Sequence, residues 1–231
     1  MKHEIIGSGA FPLVRFYLDQ GETIKSETGA MVAMTRDLRL YGKADGGIMK
    51  SVTRMFSGES FFMQSITAEK GPGWVLLAPA IPGEIAPIEI RDGQEMIVQK
   101  DGFFAGTSGI EVSTKVQSLA KGLFSGEGFF VVKLTGKGTA YVSTYGAIHT
   151  IDLPKGEDVL IDNGHLVAWD ASMQYEITKG ASSWTSSVTA GEGLACRFYG
   201  PGRILIQTRN PAALASWIFP FLPIPKQVPQ A

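Results

Sequence analysis

Short apolar runs bounded by glycine cover most of the chain. PLVRFYL (12–18), IAPIEI (85–90) and IHTIDL (148–153) each place apolar side chains among polar ones over six or seven residues. β-branched, aromatic and aliphatic residues in runs of this length suit a pleated, half-buried surface. The pattern therefore predicts extended strands along the whole chain and an all-β fold.

One short phrase occurs three times. LFSGEGFF (123–130) closely repeats MFSGESFF (55–62), and TAGEGLACRF (189–198) is a weaker third copy. A Gly-x-Gly step and a further β-rich run follow each copy, at 71–78, 136–144 and 200–208. Because glycine is tolerated in tight turns, each stretch predicts a turn followed by a strand.

A second phrase, beginning at Gly21, Gly93 and Gly156, also occurs three times. It contains two apolar runs separated by a polar stretch that ends in glycine. Within it, Asp101-Gly102 and Asn163-Gly164 are dipeptides typical of two-residue β-hairpins. Both phrases recur in the same order, which predicts that one structural unit is written three times.

The predicted organisation is one domain, residues 1–210, followed by an apolar tail, residues 211–231, with a short helix. The domain divides into three repeats of about five strands each, with borders near 11–79, 83–145 and 147–208.

Two of the repeats carry a predicted helical insert. Apolar residues at helical spacing between 48 and 56 and between 116 and 124 form a short amphipathic stripe. Gly58 and Gly126 follow closely and are suited to end these helices. The third repeat has SSWTSSVTA at this place, which does not favour a helix.

The order of these phrases resembles an uncharacterised bacterial and archaeal protein family. Its eukaryotic relatives are the mitochondrial biogenesis proteins named for altered inheritance of mitochondria. The strings that carry the resemblance are FSGEGFF, GAIHTIDL, GEDVLIDNGHLVAW and GEGLACRFYGPGRILIQTR. The resemblance implies three tandem β-sandwich units, related to double-stranded β-helices and to the tryptophan RNA-binding attenuation protein, with pseudo-threefold symmetry. It implies no catalytic residues.

The charge balance argues against nucleic-acid binding. The chain has 21 basic and 22 acidic residues, for a formal net charge of −1. Phosphate contacts supply most nucleic-acid affinity and normally require a basic surface. One set of equivalent positions in the three repeats is Lys25, Ile97 and Leu160, of which one is basic. RNA binding, suggested by fold analogy alone, is therefore the least favoured function.

The residues that nucleophilic catalysis requires are sparse. Cys196 lies in the apolar run LACRF, which predicts a buried structural thiol and excludes an intramolecular disulfide, since the chain has one cysteine. The histidines are His3, in an N-terminus predicted to be mobile, and His149 and His165, predicted to be surface or hydrogen-bonded residues. No metal-binding motif occurs, and strands follow the glycine-rich strings, so no metal, cofactor or phosphate loop is predicted.

Two features are candidates for binding. Glu59, Glu127 and Glu192 repeat at the same predicted turn, where they are either solvated or converge on the pseudo-threefold axis as a ligand or cation site. In the tail, Asn210-Pro211 predicts a helix start and Pro220 its end. An apolar cluster follows, formed by Trp217, Ile218, Phe219, Phe221 and Leu222.

The tail has three alternative roles. It packs on the protein's own sheets, forms a homo-oligomer interface, or contacts a membrane surface or protein partner. We predict a cytoplasmic location, because the N-terminus has no signal peptide and no apolar run is long enough to span a membrane. The tripled unit, the apolar tail and the lack of catalytic constellations predict a non-enzymatic β scaffold or binding protein that acts as a homo-oligomer. The alternative is a small-ligand or metal-binding protein, or an enzyme, with its site between repeats.

Overall fold

The computed structural model describes residues 1–7, 9–42, 63–116, 130–179 and 194–223. All ladders between its strands are antiparallel, which confirms the all-β prediction. The two predicted helical inserts lie almost wholly outside the described residues. The exception is Val116, which the helical pattern included and which is instead the last residue of a strand.

Nineteen strands lie in the described part of the chain. The first, β1 (Lys2–Ile6), pairs with the next strand. Segment I (residues 13–77) contains β2 (Leu13–Leu18), β3 (Thr23–Glu27), β4 (Met31–Met34), β5 (Leu38–Tyr41), β6 (Met63–Ala68) and β7 (Gly73–Leu77). Segment II (residues 85–143) contains β8 (Ile85–Ile90), β9 (Met96–Gln99), β10 (Phe103–Thr107), β11 (Ile110–Val116), β12 (Phe130–Gly136) and β13 (Gly138–Ser143). Segment III (residues 148–207) contains β14 (Ile148–Leu153), β15 (Asp158–Asp162), β16 (Leu166–Asp170), β17 (Gln174–Lys179), β18 (Leu194–Tyr199) and β19 (Gly202–Gln207).

The same strand pairing occurs in each segment. The first and third strands flank the sixth, and the second and fourth strands flank the fifth. Each segment therefore has six strands among the described residues rather than about five. The additional strand is the fourth of each segment, β5, β11 and β17, which the sequence patterns did not predict. The predicted pseudo-threefold axis stays a prediction.

Four sheets result, and they contain four, six, six and three strands. Their strand orders are β1-β2-β7-β4, β5-β6-β3-β10-β13-β8, β11-β12-β9-β16-β19-β14 and β15-β18-β17. Three apolar cores separate consecutive sheets. Phe16 and Phe104 lie in the first core, Val98 and Phe103 in the second, and Trp169 and Phe198 in the third. Burial of these aromatic side chains contributes a large share of the hydrophobic stabilisation.

The segments are joined by two ladders of the same register. Between segments I and II, β3 pairs with β10, and Ser26 lies opposite Ala105. Between segments II and III, β9 pairs with β16, and Val98 lies opposite Ala168. Ser26 and Val98 each lie five residues after the glycine that opens the second phrase. The two junctions therefore use equivalent positions of the repeat.

The predicted two-residue hairpins at Asp101-Gly102 and Asn163-Gly164 are wrong. These residues form single 3-10 turns, Lys100–Gly102 and Asn163–His165, and the strands on either side of each turn lie in different sheets. A type I′ hairpin turn requires positive φ at both central residues. Gly102 and Gly164 do not have positive φ.

The Gly-x-Gly steps bring the sixth strand of each segment against the end of the third strand and the turn that follows it. The side chains of Thr35, Thr107 and Asp170 accept hydrogen bonds from the backbone N–H groups of Trp74 (3.1 Å), Thr139 (3.1 Å) and Arg203 (2.8 Å). A Cβ built on the glycine before each donor would overlap that turn: Gly73 with Thr35 Oγ1, Gly138 with Thr107 Oγ1 and Gly202 with the Met173 side chain. The second glycine of each step is therefore required by close packing.

We predict that Gly73→Ala destabilises the protein by about 1–3 kcal/mol, because the added methyl group would overlap Thr35 Oγ1 and the Leu38 side chain. The measurement is the urea midpoint at unchanged m-value. Gly71→Ala is the matched control from the same Gly-x-Gly step, since a Cβ there meets nothing within 4 Å. Equal midpoints for the two variants would contradict the close-packing explanation.

Candidate functional site

The three repeated glutamates, Glu59, Glu127 and Glu192, lie outside the described residues. Their convergence on an axis, and any ligand site they form, stays a prediction.

The C-terminal helix begins where the sequence predicts. The helix α1 (Pro211–Ile218) starts with Asn210, whose Oδ1 accepts a hydrogen bond from the Ala212 N–H at 2.9 Å. Proline is favoured at the first helical position because its missing N–H has no partner there in any case. Pro220 lies in a 3-10 turn, Phe219–Phe221, that directly follows the helix.

The apolar cluster of the tail is exposed to solvent. Its side chains, Trp217, Ile218, Phe219, Phe221 and Leu222, have exposed fractions from 38% to 74%. The rings of Trp217 and Phe221 lie against each other, with centroids 5.7 Å apart. These five side chains therefore do not pack on the protein's own sheets in the described structure. Residues 224–231 of the tail lie outside the described residues.

A cleft of about 830 Å³ lies between segments II and III. Its walls are β8, the turn 91–95, the turn 170–172, and parts of β14 and β19. Side chains of both charge signs line it: Glu89, Arg91, Glu95, Asp170 and Arg203. This is the kind of location at which the sequence predicts a ligand site between repeats.

Several charges of the cleft are already paired. The Arg203 N–H donates to Asp170 Oδ2 at 2.8 Å, and Arg203 Nε donates to Asp152 Oδ1 at 2.9 Å. The hydrogen bond with Asp152 raises the pKa of the exposed Arg203 guanidinium. Glu95 forms an ion pair with Lys133. A charged ligand would therefore have to displace existing pairs. This makes the cleft less favourable as a binding site for a charged ligand.

Cys196 is fully buried in the third core, which confirms the sequence prediction. Burial, together with the nearby Asp162 carboxylate, raises the pKa of its thiol to about 12. Since the thiolate is the reactive form, this cysteine is unsuited to nucleophilic chemistry near neutral pH. Of the remaining histidines, His165 Nδ1 lies 2.7 Å from the Gln207 carbonyl oxygen, and His149 is exposed on β14.

The predicted mobility of the N-terminus around His3 is wrong. Residues Lys2–Ile6 form β1, which pairs with β2. His3 Nδ1 lies 3.0 Å from the hydroxyl of Tyr141, and the two rings meet edge to face. Tyr141 is buried, and desolvation raises its pKa to about 12. The segment MKHEII lacks a turn signal and a long apolar run, so its strand could not be recognised from local pattern.

Lys25, the basic residue at the equivalent positions considered for RNA, has a structural role. Its Nζ donates hydrogen bonds to the carbonyl oxygens of Ser108 and Ile110, each at 3.0 Å. Partial burial lowers the pKa of this amine. The ammonium group therefore links segment I to segment II. Within the described ranges, no group of three or more His, Cys, Asp or Glu is arranged to hold a metal ion.

Residues 3–209 match the model of a protein family described as mitochondrial biogenesis AIM24. The chain belongs to the AIM24 family.

Two relatives support this assignment. An uncharacterised protein of Streptococcus pyogenes serotype M6 is 34% identical over 232 residues, covering 96% of this chain and 92% of the relative. An X-ray crystal structure of a protein from Streptococcus pyogenes superposes with a TM-score of 0.81 at 29% identity, covering 96% of this chain and 99% of that one. The resemblance to an uncharacterised AIM24-related family is thus confirmed.

In the described part of this AIM24-family chain, no helix is long and apolar enough to cross a membrane. α1 has eight residues, well short of the ~20 that a membrane-spanning helix needs.

Sequence reasoning missed one perturbed carboxyl group in the AIM24-family fold. Glu27, at the end of β3, has its pKa raised to about 7 by burial and by the nearby negative charge of Asp101. In a strand with one solvent-facing side, the position of Glu27 would be exposed. It is half-buried because β3 is an interior strand, between β6 and β10. Strongly shifted carboxyls often mark functional sites, but Glu27 does not line the 830 Å³ cleft between segments II and III.

We expect Glu27→Gln to raise the melting temperature at pH 8 and to have little effect at pH 4.5. The folded-state pKa lies above the unfolded value near 4.5, so the stability contributed by protonated Glu27 is present below pH 4.5 and is lost as pH rises through about 7. The expected gain is a few degrees, since about 1 kcal/mol shifts Tm by ~2–4 °C in a chain of this size.

The measurement is thermal unfolding from pH 4.5 to pH 8. Glu157→Gln, at an exposed position, is the control and should leave the pH dependence unchanged. If Glu27→Gln and Glu157→Gln show the same pH profile as the wild type, burial of the Glu27 carboxyl does not affect folding.

Proposed function

We propose that this protein is a non-enzymatic β scaffold or binding protein that acts as a homo-oligomer. The observation that carries the proposal is the exposed apolar tail, residues Trp217, Ile218, Phe219, Phe221 and Leu222. Contiguous exposed apolar side chains are typical of interaction sites, and aromatic residues are enriched at the centres of interfaces. Burial of these side chains in an assembly would contribute about 25 cal/mol per Å² of apolar area.

The burial of the cysteine and the hydrogen bonds of two histidines support a non-enzymatic role. The thiol of Cys196 is buried, His165 is hydrogen-bonded to backbone, and His3 is hydrogen-bonded to Tyr141. These groups stabilise the fold in the described structure and do not line the cleft between segments II and III.

A second copy is the partner that the tail fits best. α1 and the turn after it contain no basic residue, whereas peripheral membrane helices commonly combine an apolar face with Lys or Arg on the other face. A membrane surface or a different protein partner is the competing occupant. The ligand-binding alternative has the 830 Å³ cleft in its favour but depends on displacing the pairs at Arg203 and Glu95.

We predict that Trp217→Ser combined with Phe221→Ser lowers the molar mass measured by multi-angle light scattering toward the 24.8 kDa of one chain. Both side chains are exposed in the single chain, so the free energy of unfolding of the dissociated protein should change by less than about 0.5 kcal/mol. Deletion of residues 211–231 should have the same effect on mass.

The matched control is Phe11→Ser, because Phe11 is more exposed than Trp217 or Phe221 but lies outside the tail. An unchanged mass in the double variant and the deletion would contradict the homo-oligomer interface at the tail. If the wild type binds vesicles of neutral phospholipid and the double variant does not, the tail contacts a membrane surface instead.

A further inference from the structure

Two strands of the chain lack the partner that their equivalents have. The third strand of segments II and III pairs with the second strand of the preceding segment, as β10 pairs with β3 and β16 pairs with β9. The third strand of segment I, β4, and the second strand of segment III, β15, have no such neighbour in the described part of the chain. Each is an edge strand of its sheet, although its equivalents are interior strands.

The exposure of side chains on these two strands reflects the missing partner. Val32 of β4 is 55% exposed, whereas the equivalent residues Phe104 and Val167 are 0% and 2% exposed. Leu160 of β15 is 44% exposed, whereas the equivalent Ile97 is 5% exposed. The other equivalent of Leu160, Lys25, is half-buried at its junction. The positions of Val32 and Leu160 are thus more covered at the internal junctions than in β4 of the first segment and β15 of the last.

The edges that remain open in every segment are protected differently. The first strand of segments II and III and the fourth strand of each segment are edge strands. They carry proline or charged residues, such as Pro87 in β8, Arg39 in β5 and Glu176 in β17. Such residues discourage pairing with another chain. β4 has the sequence MVAM, without charge or proline, as expected of a strand that is paired in the assembled protein, whereas β15, DVLID, has an aspartate at each end.

The internal junctions fix the register of the missing ladder. A β-bulge precedes Ala105 and Ala168, and the equivalent bulge in β4 precedes Ala33. On the partner strand, Ser26 and Val98 correspond to Ile161, five residues after Gly156. The same register therefore places Ala33 opposite Ile161.

The charges beside the ladder are complementary. Continuing the register places Met34 opposite Leu160, Thr35 opposite Val159, and Arg36 opposite Asp158. Arg36 has a 94% exposed side chain whose Nε lies 3.9 Å from Asp37 Oδ1, and Asp158 forms an ion pair with Arg197 in the single chain. The contact across the ladder would therefore add a second cation to an existing pair. At the equivalent place between segments II and III, the Ala171 N–H donates to the Glu95 carbonyl oxygen at 3.1 Å, so the ladder extends to this position. Opposite charges directly across an antiparallel pair are stabilising.

We propose that β15 of one copy pairs antiparallel with β4 of a second copy, head to tail, with Met34 opposite Leu160. This inference rests on the homo-oligomer proposed above and adds a second interface, distinct from the apolar tail. The contact is heterologous, since each copy uses β4 on one side and β15 on the other. Heterologous contacts produce closed rings or open filaments according to the rotation between copies.

The test is a disulfide between two differently substituted copies. Met34→Cys protein is mixed with Leu160→Cys protein under mild oxidation, and the native Cys196 is buried and does not compete. We expect a covalent dimer that contains both variants, identified by the cross-linked peptide in mass spectrometry. The Cα atoms of directly opposed residues lie within the 4.4–6.8 Å range of disulfides. The Cα atoms of residues shifted by two positions are about 7–8 Å apart, which is outside that range.

Val32→Cys mixed with Leu160→Cys is the off-register control. Val32 is the more exposed partner, so cross-linking by random collision would be at least as efficient there as at Met34. At least a tenfold excess of the Met34–Leu160 product over this control supports the register. Equal yields overturn it. A disulfide within a single chain carrying both substitutions, without product from the mixed copies, also overturns pairing between copies.

Mass measurements separate this inference from the proposed function. We expect Leu160→Lys to reduce the assembly mass, whereas Phe11→Lys, an exposed position outside both interfaces, does not. If Leu160→Lys assembles like the wild type and the tail variants are monomeric, edge pairing is wrong and the proposed homo-oligomer stands. If the register-specific disulfide forms but the wild type has the mass of one chain, edge pairing stands as a weak contact and the stable homo-oligomer is wrong.

Discussion

The ladder between the second strand of one segment and the third strand of the next is the interaction on which the structure depends. It makes β3 and β10 neighbours in one sheet and β9 and β16 neighbours in another. Each six-stranded sheet therefore takes three strands from one segment and three from the following one. Both of its faces contribute to cores, so the segments share apolar cores instead of forming separate sandwiches. Loss of a junction ladder would uncover side chains such as Phe104 and Val167, which are buried against the neighbouring sheets.

The repeated glycines serve this arrangement in two ways. Gly21, Gly93 and Gly156 have φ values of +87°, +79° and +90°, which side chains rarely adopt, and they open the turn before the second strand. The second glycine of each Gly-x-Gly step lets the sixth strand approach the turn after the third. A threonine or aspartate at the end of the third strand, or directly after it, then accepts a hydrogen bond from the backbone N–H of the second residue of the sixth strand. The glycines therefore act in folding.

Much of the fold follows from the sequence, because strand periodicity and turn glycines are local signals. The alternation in β2 and β8 predicted strands, and the Asn210-Pro211 cap predicted the start of α1. The partners of those strands are long-range, however, and Asp101-Gly102 marks a turn between sheets rather than a hairpin. The half-burial of Glu27 arises from β10, 76 or more residues later in the chain, and local pattern could not reveal it. Exposure of Trp217 could not be predicted either, since an apolar segment looks the same whether it packs in its own chain or on another.

Backbone hydrogen exchange tests most directly whether the junction ladder is repeated between copies. Head-to-tail pairing predicts that the outward-facing amides of β4 and β15 are protected in concentrated protein and exchange rapidly after dilution to single chains. The amides of β10 and β16 at the internal junctions should stay protected in both states, and those of β8, an edge in either case, should be unaffected. Exchange of β4 and β15 that is equally fast at all concentrations, with an assembled protein present, would contradict the repeated ladder.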